Sequence, residues 1–427
     1  MVSNVTLTFT QGIEGFMEAG MSTSHQSRAG SALDVLSVFL KLGMTSFGGP
    51  IAHIGYFRRE FVERRCWIND ETFTDLVGLC QFLPGPASSQ VGFSIGLLRA
   101  GWLGGIAAWC GFTLPSIALL NGFAIIAPSL GGPVGSGLIH GLKLVAVAVV
   151  SQAVWDMARR LCPDHRRAGI ALVTVGILAV VTTIYAQLIV IVLGAVLGIT
   201  LCRTNASGSM AGAHQHTQEF RVSRLAGATA LILFCALLFG LPALLTLDTT
   251  HAVRVFGAFY RSGALVFGGG HVVLPLLQHE TVATGWVSSS DFLAGYGAAQ
   301  AVPGPLFTFA AFLGWIMSGT PNHAWGALLA SAGIFLPGLL LVLAALPYWQ
   351  ALRAHPSTAA MLSGINAAVV GLLATALYSP VWTSAVHSEA DFAIAVIGFF
   401  LLARWKIPPL IVAALCALAG IAEAVVH

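Results

Sequence analysis

One helix-breaking motif occurs twice in this chain. Phe47-Gly48-Gly49-Pro50 returns as Phe267-Gly268-Gly269-Gly270, 220 positions further on. Trp67, Phe73, Gly78, Gln81 and Pro84-Gly85-Pro86 return as Trp286, Phe292, Gly297, Gln300 and Pro303-Gly304-Pro305, 219 positions on, so one residue has been lost between the blocks. Paired glycines and Pro-Gly-Pro each interrupt a regular helix. Such breaks, duplicated in strongly apolar sequence, point to a membrane transporter built from two repeats.

Composition agrees. Hydrophobic residues make up 56% of the chain and charged residues 9%, against about 25% charge in a soluble domain. The fold class is therefore an all-α polytopic membrane protein. Seven cysteines show no CxxC spacing and read as packing residues. The polar first thirty residues lack a basic segment followed by an apolar core, so a mobile tail through residue 31 and no cleaved signal peptide are expected. No G-x-x-x-x-G-K-[ST] motif marks an ATP site. No cofactor, metal or nucleic-acid partner is expected. His214 and His216 read as solvated linker residues.

The apolar pattern divides the chain into a first repeat (32–202), a polar linker (203–222), an extra apolar run (223–248) and a second repeat (249–427). Each repeat reads as two re-entrant hairpins, 33–47/51–66 and 71–83/87–99, then 254–267/271–284 and 291–302/306–318. Four crossings follow in each: 102–127, 135–158, 169–183 and 185–202, then 325–347, 360–382, 390–403 and 407–425. With the extra run this makes about nine crossings plus four half-helix hairpins, since a span needs about 20 apolar residues. Arg58, Arg59, Arg64, Arg65, Arg159, Arg160, Arg166, Arg167, Arg203, Arg221 and Arg224 then share one side. The extra run turns the second copy over, and its loop 278–285 has no Lys or Arg. Arg353, Arg404 and Lys406 return to the first side. The positive-inside rule thus predicts inverted repeats, a cytoplasmic amino terminus and a carboxyl terminus outside.

At each break, unpaired backbone at membrane depth must be buried in protein or line a cavity. Glycine lets N–H groups face a ligand, and the helix start adds partial positive charge, which together suit an anion. The bland alternative is close helix packing. After Pro86, Ser88 and Ser89 add hydroxyls that the second copy largely lacks. Gln81 and Gln300, three residues before each Pro-Gly-Pro, can bond substrate oxygens or tie down freed carbonyls. Lys41 and Arg261 are equivalent cations in apolar sequence, suited to attracting a substrate or to snorkelling. Glu60 and Glu280 are equivalent carboxylates. Each can pair with local cations, and Glu280, with only His279 beside it in sequence, can carry a proton. Lys143 and Asp156 form a further charged pair in one crossing. Gly92-Phe93-Ser94-Ile95-Gly96 matches G-x-S-x-G, so an intramembrane serine hydrolase at Ser94, with His140 as base, is the reading from a different class.

Together, Ser46-Phe47-Gly48-Gly49-Pro50-Ile51-Ala52-His53, Trp67-Ile68, Gln81-Phe82-Leu83-Pro84-Gly85-Pro86 and their echoes resemble the chromate ion transporter family in its two-domain, long-chain form. The resemblance covers about residues 33–425. It implies an inner-membrane carrier that expels chromate, confers chromate resistance and runs on an ion gradient as an antiporter, with sulfate as the natural competitor. The Pro50-to-Gly270 exchange makes the second helix start less rigid. On this reading the substrate site lies between the repeats near the bilayer midplane. Helix starts at Gly48, Gly49, Gly85, Pro86, Gly268, Gly269, Gly270, Gly304 and Pro305 hold the dianion, and Lys41 and Arg261 offset its charge. Another oxyanion carrier is the nearest alternative, and small-residue faces suit a homodimer.

Overall fold

The computed structural model describes residues 30–129, 132–181, 186–202, 222–244, 250–267, 270–348 and 356–426. The amino-terminal tail up to residue 29, nearly all of the polar linker with Arg203, His214, His216 and Arg221, and also Gly268, Gly269 and Arg353, lie outside the described residues.

Sixteen α-helices and no strand are found among the described residues. In the first half, α1 (Ala32–Thr45) stops before the Gly-Gly break. Next, α2 (Gly49–Phe57) runs into a π-helical turn, Arg58–Arg64. They are followed by α3 (Asp70–Phe82), α4 (Ala87–Ile126), α5 (Gly132–Leu161), α6 (His165–Val180) and α7 (Ala186–Leu201). A single helix, α8 (Arg224–Leu244), stands between the halves. The second half repeats the order as α9 (His251–Ala264), a 3-10 turn (Gly270–Val272) into α10 (Val273–Thr281), and α11 (Ser289–Ala301). A 3-10 turn (Leu306–Thr308) then leads into α12 (Phe309–Ile316), followed by α13 (His323–Ala345), α14 (Pro356–Ala376), α15 (Glu389–Ala403) and α16 (Pro409–Val426).

The interruptions fall where the motifs place them. Gly48 and Gly49 take φ of 99° and 76°, and Gly85 and Gly304 take 119° and 95°, a region that side chains with a Cβ rarely enter. Segments 87–99 and 102–127 meet in one element, α4, which reverses where Ala100 and Gly101 leave helical angles. Its two arms touch backbone to backbone at Gly96 and Gly104, as α12 and α13 do at Gly314 and Gly326.

Among the described residues, six helices are long and apolar enough to cross a membrane: α4, α5, α8, α13, α14 and α16. Three further expected crossings are shorter: α6 has 16 residues, α7 has 16 and α15 has 15, where a perpendicular span uses about 20. Their outward side chains, including Leu172, Val180, Val192, Val196, Ile397 and Phe400, are exposed hydrocarbon.

The last three helices of each repeat exchange partners. In the first half α6 and α7 pack on α14, while in the second α15 and α16 pack on α5. Glycines permit the close approach. A Cβ at Gly137 or Gly141 would meet the Gly420 or Cys416 carbonyl, and one at Gly364 would meet the backbone of Gly194 and Gly198. In lipid such contacts replace the hydrophobic driving force available in water. The largest buried cluster accordingly draws on both repeats, joining Val147 and Leu120 to Phe259, Phe309 and Val369.

Gly364→Val should overpack the α7–α14 seam and destabilise the protein by about 1–3 kcal/mol, read as a lowered melting temperature in detergent. Gly176→Ala, where a new Cβ meets nothing within 4 Å, should leave melting unchanged or raise it slightly.

Candidate functional site at the crossed breaks

Each Pro-Gly-Pro break is tied to the Phe-Gly-Gly break of the other repeat. The Gly85 N–H donates to the Val266 carbonyl at 2.7 Å, and the Gly304 N–H donates to the Ser46 carbonyl at 2.9 Å. Val266 and Ser46 are the residues immediately before the two Phe-Gly-Gly motifs. A Cβ at Gly270 would sit 3.6 Å from Pro50 and 3.7 Å from Leu306, so these residues lie against one another as well. All four interruptions therefore meet in one place between the repeats.

The long helices behind them complete the interlock. Gly304 lies against Ser116 of α4, whose hydroxyl donates to the Pro303 carbonyl at 2.5 Å. Gly85 lies against Gly338 of α13, and the Gln90 amide nitrogen donates to the Pro84 carbonyl at 2.9 Å and to the Gly338 carbonyl at 3.0 Å. Freed carbonyls at both Pro-Gly-Pro breaks are thus satisfied from inside the protein, as buried acceptors require.

The donors at these breaks have a different fate. Six helix starts, α1, α3, α6, α8, α11 and α15, are capped by the side chains of Ser31, Asn69, Asp164, Ser223, Ser288 and Ser388, while α9 and α13, away from the breaks, have no side-chain cap. At the breaks, α2, α4 and the turn at Leu306 start from Gly48, Pro86 and Pro305 with no side-chain cap. Their first N–H groups are among the four that a helix start leaves over, the kind of donor that suits an anion. Around them lie buried polar atoms without a partner: Ser46 Oγ, Ser89 Oγ, Gln90 Oε1, Thr113 Oγ1 and Gln300 Nε2. A buried polar atom left unpaired costs about 1–3 kcal/mol, so a cluster of them marks a place where a ligand or water completes the set.

Two histidines brace the site. His53 is fully buried and places Nε2 3.2 Å from the Ser46 carbonyl and Nδ1 3.4 Å from Ser88 Oγ. His271, one residue past Gly270, places Nδ1 2.9 Å from the Tyr296 hydroxyl. Each links the segment after a Phe-Gly-Gly break to the Pro-Gly-Pro arm of its own repeat. No role for His53, His271, Gln90 or Ser116 follows from spacing. The available signal was polar residues within apolar sequence beside a break.

The remaining expected site residues divide. Gly85, Pro86, Ser88, Ser89 and Gly270 are buried at the meeting point, with Gly304 against Ser116. Gln300 is half-buried there, with Tyr296 beside it. Gln81 instead faces outward from α3. Arg261 and Glu280 form one bidentate pair, Nε–Oε1 at 3.1 Å and Nη2–Oε2 at 2.8 Å. The basic partner of Glu280 thus comes from α9 and not from the adjacent His279. Glu60, its counterpart, is held by Arg64 at 3.0 Å and Arg65 at 2.7 Å. Lys41 is exposed on α1 beside Leu40 and Met44 and makes no ion pair among the described residues. Lys143 lies in the field of Asp291, and Asp156 is 3.5 Å from Gln152. Ser94 is buried and donates to the Gln90 carbonyl at 2.8 Å, while His140 is bonded to Asp391. The nucleophile–base contact that hydrolysis requires is therefore not made.

Broken helices meeting between two repeats define a polytopic membrane protein of the transporter type. The chain matches the family described as "Chromate transporter" over residues 33–199 and 253–421, and it belongs to that family. It is 26% identical to a "Probable chromate transport protein" of Synechococcus elongatus, over 95% of this chain and 99% of that one. It is 27% identical to a "Chromate transport protein" of Pseudomonas aeruginosa, over 78% and 77% of the two chains. A protein of the same description from Cupriavidus metallidurans is 24% identical over 91% and 92%. No solved structure matches the chain.

Gly85→Ala and Gly304→Ala should each cost about 1–3 kcal/mol through backbone strain at positive φ. Gly304→Ala also crowds Ser116, so the Gly304→Ala, Ser116→Ala double variant should lose less than the sum, with a coupling of about 0.5–3 kcal/mol in detergent melting.

Proposed function

We propose that this protein carries chromate across the inner membrane and expels it, conferring chromate resistance, with an ion gradient as the driving force. The observation that carries the reading is the convergence of uncapped helix starts from both repeats through the crossed Gly85–Val266 and Gly304–Ser46 bonds, in a chain of the chromate transporter family. An isolated ion in an apolar medium is disfavoured by tens of kcal/mol. A shielded cavity lined with N–H donors is the minimum that lets a dianion cross.

In this mechanism the N–H groups after Gly48, Pro86 and Pro305 contact the oxyanion, with Ser89 adding a hydroxyl. Gly268 and Gly269 belong to the same set by repeat symmetry. Lys41 draws the anion toward the site. The Arg261–Glu280 pair exchanges partners: Arg261 turns to the substrate as Glu280 takes up a proton, so anion and proton load together, whereas antiport would require Glu280 to give up its proton as the anion binds. Glu60, held by two arginines, serves as a structural anchor. Rocking of one repeat against the other has to break the crossed bonds, each worth about 0.5–1.5 kcal/mol net, and contacts to the bound anion offset that loss. Sulfate, a tetrahedral dianion of similar shape, competes for the same donors. The amino terminus lies in the cytoplasm and the carboxyl terminus outside, and a homodimer is the expected assembly.

In proteoliposomes with an imposed pH gradient, Lys41→Ala, Arg261→Ala and Glu280→Gln should each slow chromate flux by roughly tenfold, the loss of about 1.4 kcal/mol of stabilisation. Normal flux in all three would remove these charges from the mechanism, and flux of sulfate but not chromate would reassign the substrate. Reporter fusions should place position 202 in the cytoplasm and position 426 outside. Both on one side would refute the inverted arrangement.

A further inference from the structure

Outside the transport site, three helix ends from the two repeats bring together a set of metal-ligating side chains. His140 lies near the start of α5, Asp391 in the first turn of α15 and Glu423 in the last turn of α16. One ligand atom from each lies within 4.8 Å of the others. His140 Nε2 is bonded to Asp391 Oδ1. The other Asp391 oxygen accepts from the backbone N–H groups of His387 and Ser388 at 2.9 and 3.0 Å, which aims Oδ1 at His140. Glu423 Oε1 accepts from Ser388 Oγ at 3.3 Å, whereas Glu423 Oε2 is sealed from solvent without a partner.

Charge sharpens the point. Asp391 is 2% exposed and its ion-pair partner is His140 alone, with no lysine or arginine paired to either carboxylate among the described residues. Two carboxylates beside one imidazole leave an excess of acidic groups at this corner. Asp391 is offset by His140 and two backbone donors, whereas the buried Glu423 oxygen has no partner, and a buried charged group is ordinarily paired or bound to metal.

We propose that His140, Asp391 and Glu423 form a binding site for a divalent transition-metal ion of the zinc class, clamping α5 of the first repeat to α15 and α16 of the second. The donor set is one imidazole nitrogen and two carboxylate oxygens, and bonds of about 2.0–2.2 Å place such ligands roughly 3.4 Å apart around a tetrahedral ion. Small side-chain rotations within the observed 4.8 Å spread bring the three atoms to that spacing. His140 Nε2 then binds metal in place of its bond to Asp391, and water completes the coordination. The equivalent corner of the other half, where α6 begins and α7 ends, has Arg166 donating to the Leu201 carbonyl at 2.7 Å. The ligand set therefore belongs to one half's corner and is not a by-product of the repeat.

The test uses full-length, tag-free protein in detergent, stripped with chelator, in a His214→Ala, His216→Ala background that removes the linker histidines. Zinc binding is measured by competition with a chromophoric chelator and by bound-metal analysis after gel filtration. The expected result is one zinc per chain, with affinity lowered at least about tenfold in His140→Ala and in Glu423→Gln and unchanged in His165→Ala. Glu423→Gln keeps size and leaves the α15 cap intact, and gel filtration confirms that it is folded. Absence of stoichiometric zinc in the background protein, or zinc retained at full affinity by both site variants, overturns the proposal.

Discussion

The rest of the structure depends on a reciprocal pair of backbone hydrogen bonds. Gly85 donates to Val266 and Gly304 donates to Ser46, so each repeat supplies the acceptor that the other repeat's break needs. Breaking a helix inside a bilayer strands polar groups that hydrocarbon cannot satisfy. Neither repeat meets that cost alone, because the Pro-Gly-Pro turn of one half finds its partner just before the Phe-Gly-Gly turn of the other. The glycines at these turns allow both the positive φ and the close approach that the two bonds require.

A second exchange reinforces the first. Helices α6 and α7 leave their own repeat to pack on α14, and α15 and α16 pack on α5, through glycine contacts that bring backbones together. Two units that trade both their final helices and their hydrogen bonds are held as one body in lipid, where burying hydrocarbon supplies little drive. The arrangement still leaves one kind of group unsatisfied. Carbonyls at the Pro-Gly-Pro breaks are bonded by Gln90 and Ser116, while several buried hydroxyl and amide atoms beside them have no partner. Those unpartnered groups, together with the uncapped helix starts, are the physical case for a polar ligand at the breaks.

The repeats are not equivalent at this centre. Pro50 lets α2 begin directly, whereas Gly270 begins a 3-10 turn before α10. Arg261 is clamped to Glu280, whereas Lys41 has no ion pair among the described residues and Glu60 takes Arg64 and Arg65. Duplication set the frame, and divergence of a few polar residues left one arm's cation exposed and the other's paired.

Much of this was legible in the residue string. Two copies of Phe-Gly-Gly and Pro-Gly-Pro in apolar sequence specified broken helices in duplicate, because proline and glycine act on backbone geometry within a few residues of themselves. Family membership lay in the same motifs. Other features depended on which distant segments meet. Sequence distance pointed Glu280 at His279, but folding brought Arg261 to it from nineteen positions away. His53, Gln90 and Ser116 gained their roles from carbonyls exposed by breaks elsewhere, and His140, Asp391 and Glu423 meet only because three helix ends share a corner. Local chain stiffness is written in adjacent residues. The pairing of donors with acceptors across a duplicated fold is decided only when the halves have exchanged their parts.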